Sequence, residues 1–190
     1  MKLKKFEGNP ILSPTDANDW ESLVTCNPGV IYDDGTFYML YRAAGNDAEH
    51  VIRLGLATSK DGFHFERVSD MPAFGPSEDG PDSGCVEDPR IVKYDTEYYI
   101  TYAYRPYSPG QYWNFGHDEI LLPECGSDAP MALRKNLGNT GLAVTTDFRE
   151  FKRLGRLTSP VLDDRDVILF PEKVQGKYVI CLLYTSPSPR

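Results

Sequence analysis

The run Cys85-Val86-Glu87-Asp88-Pro89-Arg90 sets two carboxylates and a guanidinium within four positions, directly before the β-rich stretch from Ile91 to Tyr104. A carboxyl group can pass a proton to a reacting oxygen, and a guanidinium can hold an anionic partner beside it. The proline ring bars the residue before it from the helical region, so Asp88 is expected to be extended, at the mouth of a sheet. Polar groups mounted on a rigid scaffold in this way serve hydrolysis and group transfer. The same residues would equally make a surface ion pair at a strand start, so the rest of the chain has to decide.

Other chemistries find little support. His50, His64 and His117 have no metal-ligand spacing and are expected at surfaces or turns. Cys26, Cys85, Cys125 and Cys181 are scattered, with no Cys-x-x-Cys pair, which argues against zinc and leaves reduced thiols as the expectation. There is no glycine-rich phosphate loop and no Gly-x-Ser-x-Gly elbow. No metal and no cofactor are expected.

The elements that must position Asp88 are strands. Val30-Ile31-Tyr32, a turn at Asp33-Asp34-Gly35 and Thr36 to Tyr41 read as a hairpin. Arg90 to Tyr94, Asp95-Thr96 and Glu97 to Tyr102 repeat that plan, as do Glu172-Lys173-Val174, Gln175-Gly176 and Lys177 to Ile180. A second element also recurs. The stretch from Leu54 to Arg67 (LGLATSKDGFHFER) echoes the stretch from Thr140 to Arg153 (TGLAVTTDFREFKR), each a strand, an Asp-containing turn and a strand with an aromatic residue. Two hairpins per repeat make a four-stranded blade, the mark of a β-propeller rather than a sandwich.

Residues 1–181 therefore read as a partial propeller: two blades, half of a third and an N-terminal segment, too few to close a ring of four to eight. The Ser/Pro tail over 182–190 breaks a strand pattern abruptly and is expected to be non-native or disordered, as in a truncated frame. A long insert, 106–139, interrupts the second blade. Its Tyr107, Tyr112 and Trp113 would make a sugar-stacking platform, or pack the insert against the blades.

Composition narrows the partners. A net charge of −8 opposes nucleic acid and anionic membranes. The N-terminus is basic but lacks an apolar run, so no signal peptide is read, and no stretch has the length of a transmembrane helix. A cytoplasmic location is expected. Twelve Tyr and nine Phe suit strands and carbohydrate-facing surfaces.

Several segments together resemble glycoside hydrolase family 130, the β-mannoside phosphorylases and related mannosidases. They are Gly8 to Leu12, Thr25-Cys26-Asn27-Pro28-Gly29, Leu40-Tyr41-Arg42-Ala43, Leu54 to Gly62, Val86 to Arg90, and Arg165 to Lys173. The resemblance implies a five-bladed β-propeller, of which this chain covers roughly the first half. It implies that Asp88 is the catalytic acid, protonating the departing glycosidic oxygen through a hydroxyl of the bound mannose. Asn27 and Arg42 would line the mannose pocket, with Glu87 and Arg90 of the same motif also binding substrate. Arg134 and Arg165 would bind phosphate, with Lys135 a rival to Arg134. Arginine at 165 departs from the lysine common in the phosphorylases, and the family's His-Arg phosphate contacts are missing from residues 182–186.

A phosphorylase needs only the acid, since phosphate is a competent nucleophile, together with a cationic pocket to hold it. The implied reaction is inverting phosphorolysis of a β-mannoside to α-mannose 1-phosphate, with inorganic phosphate as co-substrate. A homo-oligomer is compatible with the intact enzyme, and these 190 residues alone are expected to be inactive. A β-mannosidase of the same family, with a base such as Glu172, is the alternative. A non-catalytic carbohydrate-binding propeller is the third reading.

Overall fold

Strands make up nearly all of the regular secondary structure among the described residues. The computed structural model describes residues 4–111 and 120–182. The fold is all-β, and the longest helix among the described residues is α1 (Met131–Arg134), one turn long. Strands β1 (Val24–Asp33), β2 (Thr36–Ala44), β3 (Arg53–Ser59) and β4 (Glu66–Arg67) form one antiparallel sheet in sequence order. Strands β5 (Cys85–Tyr94), β6 (Glu97–Arg105), β7 (Asn139–Thr145) and β8 (Lys152–Arg156) form a second. Strands β9 (Val167–Leu169) and β10 (Ile180–Leu182) pair as a third, two-stranded sheet.

The turns explain the pairing. Asp34 and Gly35 both have positive φ, 44° and 73°, the geometry whose twist suits a two-residue hairpin. Asp95, at φ 55°, turns β5 into β6 in the same way. The expected third turn, Gln175-Gly176, is present with φ of 52° and 75°. The strands expected directly beside it are not: a single Val174–Lys177 bridge flanks the turn, and the ladder lies further out. Pro171 has no N–H to extend that ladder, and Glu172 and Lys173 are exposed.

The second echo is held by matching bonds. Ser59 Oγ accepts from the Asp61 and Gly62 N–H groups, and Asp61 Oδ1 accepts from those of Phe63 and His64. Thr145 and Asp147 do the same with residues 147–150. A deeper repeat braces each sheet. The buried Glu21 carboxylate accepts from Tyr41 Oη (2.9 Å) and Arg67 Nε (2.9 Å). The buried Asp82 carboxylate accepts from Tyr102 Oη (3.0 Å) and Arg153 Nε (2.7 Å). A Cβ at Gly55 would lie 2.2 Å from Tyr41 Cζ, and one at Gly141 2.6 Å from Tyr102 Cζ, so each brace needs the glycine opposite its tyrosine.

The two large sheets share a core in which Leu40, Leu54 and Leu56 pack with Val86, Ile100 and Tyr102. His50, expected at a surface or turn, has a turn-like φ of 50° but is buried, and burial lowers its pKa. His64 lies in the exposed Asp61 turn, as expected. The cysteines are free, Cys85 buried and Cys125 and Cys181 exposed. Among the described residues no helix is long and apolar enough to cross a membrane. Tyr112, Trp113, His117 and residues 183–190 lie outside the described residues, whereas Leu182 pairs with Val167.

Candidate active site

The site is built on two matching bulges. Pairing of β1 with β2 slips between Cys26 and Gly29, and pairing of β5 with β6 slips between Glu87 and Arg90. Asn27 and Asp88 occupy the same place in their sheets, 61 residues apart, each followed by proline. Both have positive φ, 43° and 53°. The expectation of an extended Asp88 at a strand start is thereby corrected, since it lies inside β5 in the left-handed region. A bulge demands a residue that tolerates this conformation, and Asn and Asp do so better than other side chains. Such a conformation costs about 1–3 kcal/mol and gathers at functional sites. The bulges also approach each other closely, because a Cβ on Gly29 would lie 2.6 Å from the Pro89 carbonyl oxygen.

That approach brings Asn27, Arg42 and Asp88 together. Asp88 Oδ1 accepts from Asn27 Nδ2 (2.9 Å) and Arg42 Nη1 (3.2 Å). Asp88 Oδ2 has no partner among the described residues. Glu87 Oε2 lies 2.6 Å from Arg42 Nη1, and Glu87 Oε1 lies 3.9 Å from Arg105 Nε. Burial works against the Arg42 charge, but Glu87 and Asp88 more than offset it, so the guanidinium is held firmly cationic. Burial raises the Cys26 thiol pKa beside this group, against the pull of Arg42.

A cavity of about 380 Å³ is lined by Arg42, Glu87, Arg105, Lys135, Asp163 and Arg165 among others. Arg165, the residue expected to bind phosphate, is part of this lining and is held by Asp163 at 3.2 Å. Arg134 does not line the cavity. Its Nε donates to the Ala129 carbonyl, just before the start of α1, and its rival Lys135 takes the place in the wall. Arg90 is likewise not brought to the cavity. Its Nη1 donates to the Asp88 and Pro89 carbonyls and its Nη2 lies 3.7 Å from Asp166, so it clamps the bulge. Glu87 lines the cavity while tied to two guanidinium groups.

Along with Asp163, Arg105 is a site residue that sequence reasoning missed. It ends a strand without any motif, and only the fold turns it onto Glu87. The equivalence of Asn27-Pro28 with Asp88-Pro89 was detectable, because the 61-residue offset also relates Glu21 to Asp82 and Tyr41 to Tyr102. Chemically, the site offers a carboxyl oxygen for proton transfer and, beside it, a cavity carrying four cations and two carboxylates in a chain of net charge −8. Such a cavity suits a small oxyanion.

The fold and site thus define an all-β protein of successive four-stranded sheets with a carboxyl-and-arginine centre at paired bulges. A sequence model described as beta-1,4-mannooligosaccharide phosphorylase matches residues 2–113, and the chain belongs to that family, glycoside hydrolase family 130. It is 33% identical over 190 residues to a 1,2-beta-oligomannan phosphorylase of Thermoanaerobacter sp. (strain X514), covering 95% of this chain and 53% of the relative. It is 35% identical over 194 residues to a beta-1,2-mannobiose phosphorylase of the same organism, covering 95% and 54%. The chain spans about half the length of these relatives. A solved structure from work describing family members that are glycoside hydrolases targeting beta-1,2 mannosidic linkages in Candida mannan superposes with a TM-score of 0.62. It is 25% identical, with 92% of this chain and 48% of that one covered.

Proposed function

We propose that the protein of which this sequence forms part or all is an inverting β-mannoside phosphorylase that releases α-mannose 1-phosphate. The observation that carries this is the cationic cavity beside a carboxyl group with one uncommitted oxygen. In this reading Asp88, fixed through Oδ1 by Asn27 and Arg42, supplies a proton from Oδ2 to the departing glycosidic oxygen, by way of a mannose hydroxyl. Phosphate, held by Lys135 and Arg165, attacks the anomeric carbon from the opposite face. The C1–O bond to the leaving sugar breaks as the C1–O bond to phosphate forms, and configuration inverts. No second carboxylate is required, since phosphate arrives as a nucleophile. The same reading makes the two large sheets and the third consecutive blades of a five-bladed propeller, supported by the matched braces and bulges.

The relatives named above make β-1,2-linked mannosides the first substrates to try, with β-1,4-mannosyl-glucose as the comparison. The test is phosphate-dependent formation of mannose 1-phosphate from β-1,2-mannobiose. Free mannose formed equally well without phosphate would instead mark a hydrolase, the reading favoured by the family hydrolases noted above. A hydrolase needs a base. Glu172 is exposed and does not line the cavity, and Asp163, which does, is paired with Arg165.

A further inference from the structure

The segment 106–138 leaves the second sheet at Arg105 and rejoins it at Asn139, and its return is governed by Asn136. Asn136 is 0% exposed, with a φ of 46°. Its Oδ1 accepts from the Tyr107 N–H (3.1 Å), and its Nδ2 donates to the carbonyls of Leu121 (3.0 Å) and Ser108 (3.4 Å). Its own carbonyl accepts from Arg105 Nη1. One buried amide thus joins both ends of the segment. Arg105 and Glu87, 6% and 4% exposed, continue inward to Arg42 and so to Asp88. Outward, the residue bonded to Asn136 in the chain is Lys135, in the cavity wall.

Anchoring the segment does not require this arrangement. Ser83 Oγ already donates to the Pro106 carbonyl (2.8 Å), and the Gly84 N–H to that of Arg105 (3.0 Å). Buried ion pairs are poor sources of stability compared with apolar packing, and their best-attested use is to set register. We propose that Glu87, Arg105 and Asn136 are positioning residues that set the distance between the cationic wall carrying Lys135 and the Asp88 acid. Phosphate and the departing oxygen are then held on opposite faces of one sugar ring. The proposal rests on the phosphorylase reading for its kinetic consequence, but not for its structural one.

The test uses Asn136→Gly, which keeps the backbone conformation and removes the amide, and Arg105→Lys, which keeps the charge and removes the fork. Hydrogen exchange of the Tyr107 amide should quicken about tenfold in Asn136→Gly, as a lost hydrogen bond predicts. This readout needs no activity. In the active enzyme both variants should lose about 10²-fold in kcat/KM for phosphate, the scale of a 1 Å misplacement, while KM for the mannoside stays unchanged. Unchanged Tyr107 exchange overturns the proposal, and so does faster exchange with unchanged phosphate kinetics. Should the wild-type enzyme ignore phosphate, the phosphorylase reading fails, and the exchange result still decides whether Asn136 ties the segment.

Discussion

In the proposed mechanism, replacing Asp88 by asparagine separates proton donation from every other task of that side chain. The amide oxygen can stand where Oδ1 stands and still accept from Asn27 Nδ2 and Arg42 Nη1. Both bonds are kept with an amide oxygen as acceptor, so folding should weaken by no more than about 1 kcal/mol per bond. Arg42 keeps Glu87 at 2.6 Å, so its position should hold. What disappears is the transferable proton. Positioned acid catalysis contributes about 10²–10⁴-fold, or roughly 3–5 kcal/mol of barrier. Asp88→Asn should therefore lose that factor in kcat on β-1,2-mannobiose. On 2,4-dinitrophenyl β-mannoside, whose leaving group departs without a proton, the loss should stay within about tenfold. Phosphorolysis of both substrates by wild type and variant is the assay, with the urea midpoint as a check on folding. Equal losses on the two substrates would show that Asp88 acts through geometry and not as the acid, and undiminished turnover of mannobiose would remove it from the mechanism.

Gly141→Ala should destabilise the fold by about 1–3 kcal/mol, because the new methyl meets Tyr102, which Asp82 holds in place; Gly75→Ala, whose methyl would meet Arg53 Cγ at an ordinary contact of 3.9 Å, should be near neutral in the same urea series. Hydrogen bonding holds the carboxyls of Asp61, chiefly from His64, and Asp147, chiefly from the Arg149 N–H, below the usual carboxylate range. Their contribution is present above the unfolded pKa of about 4 and is lost as pH falls toward the folded values, so Asp147→Asn should flatten the fall of the urea midpoint below about pH 4. Amides of β9 and β10, in a two-stranded sheet of three-residue strands, should exchange far faster than those of β2 and β6. As these 190 residues alone, the chain should self-associate in sedimentation, through the exposed Val161, Leu162, Phe170 and Tyr178. Thiol reagents should label Cys125 and Cys181 first, and Cys85, buried with its pKa pushed far up by desolvation, only on unfolding.

The hairpins were legible because each is local: Asp34-Gly35, Asp95-Thr96 and Gln175-Gly176 carry their own turn chemistry. The repeat of the Asp61 and Asp147 turns was legible for the same reason. The reach of the third hairpin was not, since a proline and two charged residues next to its turn displaced the ladder outward.

For the site, linear order supplies the residue types and their succession: an Asn-Pro, a strand arginine, a Glu-Asp-Pro-Arg and a late Arg165. Tertiary structure decided which of these meet. The slip in register at two bulges turns Asn27 and Asp88 to positive φ, and Gly29 lets the bulges close until the amide and carboxylate bond across 61 residues. It also decided that Arg90 clamps backbone, that Lys135 and not Arg134 faces the cavity, and that Arg105 joins Glu87. Local sequence carries turn and strand preferences because these depend on one residue's own sterics. It does not carry the direction of a long side chain, which is set by whatever distant segment packs beside it.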